Sequence, residues 1–136
     1  MAITPTLTVW KYFLRHDRMS TQEQLVSTAM EQLRAWSASG GTVLFGTDLG
    51  AVDYDPGEEY EMMAAAGMNF RQILASLTCA PAERFGESGY AGRIAAGLQA
   101  DLVVLKSNPS RNIRALADVE LTLRAGKIVY QAPDLP

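Results

Sequence analysis

The chain has 136 residues, 48% of them hydrophobic and 20% charged, which suits one globular domain with a real core. Its net charge of −3 leaves out the basic footprint that nucleic acid or an anionic membrane would need from a main partner. No apolar run approaches the roughly 20 residues of a membrane span. The single cysteine, Cys79, makes no intrachain disulfide, and the first 14 residues show no basic segment ahead of an apolar one, so a reducing, cytoplasmic setting is expected.

In chain order, Ile3 to Val9 is rich in threonine and β-branched residues with Pro5 inside it. It reads as a strand at a sheet edge, because proline cannot donate to a ladder. Tyr12 to Met19 is a connection. Ser20 and Glu23 have the spacing of a capping box. Leu25, Val26, Ala29, Met30, Leu33 and Trp36 then recur at helical spacing as one core-facing stripe. Gly40-Gly41 ends that helix, and no Gly-x-Gly-x-x-Gly follows to make a phosphate loop. Thr42 to Phe45 runs without alternation, as in a strand buried on both faces of a parallel sheet. Asp55 caps the next helix, with Pro56 at its first position. That helix carries Tyr60, Met62, Met63 and Ala66 and stops at Gly67. Asn69 caps another, with Phe70, Ile73, Leu74 and Leu77 on one face. Pro81 opens a short helical turn that ends at Gly86. Strands alternating with helices are the α/β signature.

From Gly92 the pattern changes. Leu102 to Leu105 is a short buried strand, and Asn108-Pro109 is a turn. Val119, Leu121 and Leu123 alternate with Glu120, Thr122 and Arg124 as in a half-buried strand. Ala125-Gly126 then turns the chain into Lys127 to Tyr130, a hairpin. Residues 1–88 therefore read as α/β and residues 89–136 as a small β unit, with no internal repeat.

The residues with chemistry to offer are few. Asp48 closes Gly46-Thr47-Asp48 at the C-terminal tip of a strand, where barrel enzymes keep their catalytic groups. Asp48, Asp53, Asp55, Glu58, Glu59 and Glu61 follow one another with no Lys or Arg between them. They suit a helix N-terminus and its dipole, or a cation-attracting mouth; Glu61 is the candidate exception. His16, the one histidine, lies in the mixed loop Arg15-His16-Asp17-Arg18 and reads as a solvated or packing residue. Cys79 reads as a buried, inert thiol, and Met62, Met63 and Met68 as core filler.

Taken in order, Gly46-Thr47-Asp48, Glu61-Met62, Ala66-Gly67-Met68, Leu77 to Gly86, Gly92 to Gly97, Ala100 to Leu105, Asn108-Pro109 and Arg124 to Val129 resemble the C-terminal portion of the amidohydrolase superfamily. The likeness is nearest to its imidazolonepropionase-like and prolidase-like members and runs from Pro5 onward. The resemblance implies the last two βα units of a (β/α)8 barrel, over residues 1–88, and the C-terminal strands of a small β-sandwich, over residues 89–136. Pro5 to Thr8 would be the seventh barrel strand and Thr42 to Phe45 the eighth. It also implies that Asp48 binds a divalent metal, zinc first, and acts as the general base. Such an ion lowers the pKa of bound water towards ~7, and the aspartate carries the proton to the leaving nitrogen as a C–N bond is hydrolysed. The superfamily's His-x-His pair, bridging lysine and later histidines have no counterpart in this chain. Two expectations follow. One is a C-terminal piece of a metal-dependent amidohydrolase that hydrolyses non-peptide or dipeptide C–N bonds, amide or cyclic amide, and is inactive without the missing N-terminal metal ligands. The other is a non-catalytic remnant or split-enzyme subunit that pairs with itself.

Overall fold

A computed structural model describes residues 1–13, 19–48 and 55–133 of the chain. Strand β1 (Ala2–Ile3) pairs in parallel with β2 (Thr42–Val43), Ala2 opposite Thr42 and Ile3 opposite Val43. The Leu44 N–H donates to the Ile3 carbonyl at 2.8 Å and extends the pairing. Helices α1 (Leu7–Phe13) and α2 (Met19–Ala38) lie between the two strands in sequence. A parallel pair joined through helices is the α/β arrangement expected.

Two expectations for this half are corrected. The strand read over Ile3 to Val9 stops at Ile3, and Leu7 is already helical. No strand lies at Pro5 to Thr8, where the resemblance placed one; the strand of this segment is Ala2–Ile3. The β-propensity of Thr6, Thr8 and Val9 is overridden by a tertiary partner, the Glu59 carboxylate, which takes the free N–H groups at the start of α1. Helix α2 already contains Met19, so Ser20 lies within it rather than ahead of it.

β2 is shorter and less buried than its pattern suggested. Thr42 is exposed, Val43 buried, Leu44 and Phe45 half-buried. Past Val43 the backbone turns to the helical side, where the Phe45 N–H donates to the Ser76 carbonyl at 3.0 Å. Gly41, before the strand, is fixed by packing: a Cβ there would sit 2.2 Å from the Trp36 indole, whose Nε1 donates to the Thr42 carbonyl at 3.0 Å.

Helices α3 (Gly57–Ala65), α4 (Phe70–Leu77) and α5 (Cys79–Arg84) follow. Asp55 serves α3 as expected, its Oδ1 accepting the Gly57 N–H at 2.8 Å. Asn69 and Gln72 exchange bonds in a full capping box at the start of α4. Gly67 and Gly86 end their helices at φ 97° and 78°. Leu7, Leu33, Val43, Tyr60, Met63, Ala66, Met68, Ile73 and Leu116 form the core, and Phe45 stacks on Tyr60 with ring centres 4.6 Å apart. Leu25 and Leu74 face outward instead.

The C-terminal part is a three-stranded antiparallel sheet in the order β3 (Leu102–Leu105), β4 (Val119–Arg124), β5 (Lys127–Gln131). Ala125 and Gly126 both take positive φ, 49° and 76°, as a two-residue hairpin turn requires. The Ala125 N–H donates to Asp101 Oδ1 at 2.6 Å. β3 was read as buried; the adjacent Val103 and Val104, which point to opposite faces of the strand, are both exposed, so among the described residues neither face of this thin sheet is fully covered there. A 3₁₀ turn (Ile113–Ala117) between β3 and β4 docks this part on α3. Leu116 enters the core there, and Arg114 pairs with both Asp55 and Glu61.

Candidate active-site strand tips

The C-terminal ends of the two parallel strands lie side by side, each followed by a tight bend. After β1 the bend is Thr4-Pro5-Thr6, with Thr6 at φ 42°. After β2 it is Leu44 to Asp48, with Asp48 at φ 52°. Positive φ is uncommon for an aspartate and a genuine outlier for a β-branched threonine. The two bends touch through Gly46, where a Cβ would meet Thr4 Cγ2 at 2.5 Å and Thr6 Cγ2 at 3.5 Å. Thr47 is buried, and Asp48, at the end of the bend that follows β2, is exposed.

Behind the bends stands Glu59, fully buried on α3. Its Oε1 accepts the Leu7 N–H at 2.8 Å. Its Oε2 accepts the Thr8 N–H at 2.8 Å and the Thr8 hydroxyl at 3.0 Å. Burial pushes the Glu59 carboxyl above its ordinary value; the three bonds pull it down, and the charge of Asp48 adds to the rise. Tyr60 beside it is pushed up to about 12 by burial and then by Asp55.

The run of carboxylates divides by position. Glu58 pairs with Lys11, and Asp55 and Glu61 with Arg114. Asp53 lies outside the described residues, as does His16. Glu59 was missed as a site residue, yet the signal was present. Glu59, Met63 and Ala66 fall at i, i+4 and i+7, one helix face, so a carboxylate was bound to enter the core with them. Cys79 is exposed at the start of α5, which corrects the reading of a buried thiol. It comes one residue after the kinked Thr78 that separates α4 from α5, so the chain leaves the core there.

Among the described residues, no three His, Cys, Asp or Glu side chains stand together as metal ligands. A catalytic zinc takes about three protein ligands, and Asp48 alone at the strand tip does not supply them. The described residues do not by themselves fit a metal.

Comparison with known proteins agrees with this geometry. A Xaa-Pro dipeptidase crystallised with methionine in its active site is 22% identical, with a TM-score of 0.84 over 97% of this chain and 35% of its own. A prolidase complexed with N-methylphosphonate-L-proline is 27% identical, with a TM-score of 0.73 over 96% and 35%. The ochratoxinase of A. niger is 18% identical, with a TM-score of 0.79 over 100% and 33%. The chain thus spans about a third of the length of these structures. No curated protein matches it. No helix among the described residues is long and apolar enough to cross a membrane. The family model for amidohydrolases matches residues 9–129, from α1 through both strand tips' helices to the last hairpin, and on that match the chain belongs to the amidohydrolase family.

Proposed function

We propose that the chain is the C-terminal third of a metal-dependent hydrolase that cleaves C–N bonds of small molecules, with dipeptides ending in proline as the first substrates to try. The family match together with the exposed Asp48 in the bend that follows a parallel strand carries this reading. Residues 1–88 would close a (β/α)8 barrel together with the preceding six βα units, and residues 89–136 would add strands to a β-sandwich. Asp48 takes a proton from the attacking water as oxygen bonds to the carbonyl carbon. It gives that proton to nitrogen as the C–N bond breaks. A divalent metal, zinc foremost, belongs to the completed barrel: Asp48 would be one ligand and the others would come from outside these 136 residues. The setting is cytoplasmic, with no role for nucleic acid or membrane.

The test is a C–N hydrolase screen on the chain alone and on the chain joined to the preceding two-thirds of a prolidase-like relative. Turnover is expected only in the completed assembly and should vanish in Asp48→Asn. Undiminished turnover in that variant would remove Asp48 from the mechanism.

A second reading is favoured by the uncovered apolar side chains Val103, Ile128, Val129 and Tyr130 on the C-terminal sheet. Here the chain is a non-catalytic, self-associating unit that covers some of these side chains with another copy. Light scattering separates the two: a monomeric chain with a cooperative melt counts against self-association.

A further inference from the structure

We infer that Glu59 is a positioning residue, a buried clasp that sets the Asp48 strand tip from the neighbouring bend. It rests on the hydrolase reading only in giving Asp48 a reaction to serve. The clasp works through four connected contacts. Glu59 fixes the Leu7 and Thr8 N–H groups at 2.8 Å each. Those two amides follow directly on Thr6, which is held at φ 42°. A strained threonine persists only where its surroundings over-determine it, and the two anchored amides do so. The Thr4 methyl in turn faces Gly46 so closely that no Cβ fits there, and the Thr6 methyl stands within van der Waals reach of the same point. Two residues on, Asp48 sits at φ 52°. The two left-handed residues are therefore not independent: a carboxylate on α3 locks one bend, and that bend shapes the other.

A buried carboxylate whose acceptors all serve backbone and hydroxyl donors of a different element costs desolvation. Placing it on α3 rather than using a local Ser or Asp cap on α1 ties the two strand tips to one helix. A local cap would satisfy the same N–H groups without that link.

The experiment uses the ¹⁵N-labelled chain at neutral pH with Glu59→Gln and Thr8→Val. Glutamine keeps one acceptor and turns an N–H₂ toward amide donors. Valine removes only the hydroxyl bond, so it reads the same coupling if Glu59→Gln fails to fold. Leu7 and Thr8 amides should exchange at least about tenfold faster in Glu59→Gln, as expected for loss of a charge-assisted hydrogen bond. The Gly46, Thr47 and Asp48 amide resonances should move in both variants along the same direction, less in Thr8→Val. Changes confined to Leu7 and Thr8 would overturn the clasp. In the completed assembly both variants should lower kcat with little change in KM; a loss in KM alone also counts against it. An assembly with no turnover in the wild type sinks the hydrolase reading, and the resonances still decide the clasp.

Discussion

Two carboxylates eleven residues apart in sequence meet opposite environments, and their substitutions should behave oppositely. Asp48 is exposed and left-handed, a conformation asparagine adopts readily. Asp48→Asn should leave stability within about 0.5 kcal/mol of wild type, while Asp48→Ala should lose about 1 kcal/mol to backbone strain; chemical denaturation checks both. Glu59 is the reverse case. Burial raises its folded pKa above the ordinary 4.5. A raised carboxyl contributes fully below its unfolded pKa, and the contribution is lost as pH rises through the folded value. The stability advantage of wild type over Glu59→Gln should therefore be largest in acid and shrink toward neutral pH. Paired urea melts between pH ~4 and ~8 measure it, and parallel pH curves would contradict the assignment. The sequence made Asp48 conspicuous because it ends a strand in a known motif. It hid Glu59 because acids at a helix start have an ordinary local explanation, and the partner lies 52 residues away.

Among the elements, those with local stop and start signals were legible and those decided by distant partners were not. Asn69, Gly67, Gly86 and the Ala125-Gly126 turn all act where the residue type says they should. Asn69→Ala should cost about 1 kcal/mol through loss of the cap, and Ile73→Ala, in the fully buried face of α4, about 2–5 kcal/mol. Urea melts of the two variants would rank them, and equal losses would mean that α4 is not held by its core face. The segment after Ile3 failed as a strand for a reason outside its own residues: its helix start is capped from α3. β3 likewise has a strand's sequence, but its burial depends on a covering layer that the described residues do not include.

Across the whole molecule, the family likeness extends over nearly the entire chain, while each solved structure it resembles is about three times as long. That explains why the fold class was readable and the chemistry was not. Motifs on strands, caps and hairpins are local, but a metal centre gathers ligands from many strand tips. The apolar residues left on the C-terminal sheet mark where further surface is needed. A charge substitution in that strand, Val129→Lys, should lower the light-scattering mass if copies pair there and leave it unchanged if the chain is monomeric.

Helix α3 is bound on three sides by residues remote in sequence: Glu58 to Lys11, Glu59 to Leu7 and Thr8, Glu61 to Arg114. Each of these partners lies 47 to 53 residues away in sequence. During synthesis, α1 leaves the ribosome and must wait some 50 residues for the carboxylate that starts it, then as many again for the arginine that seats the final sheet. A pause in translation just before α3 would therefore leave the Leu7 and Thr8 amides without the carboxylate that takes them in the folded chain.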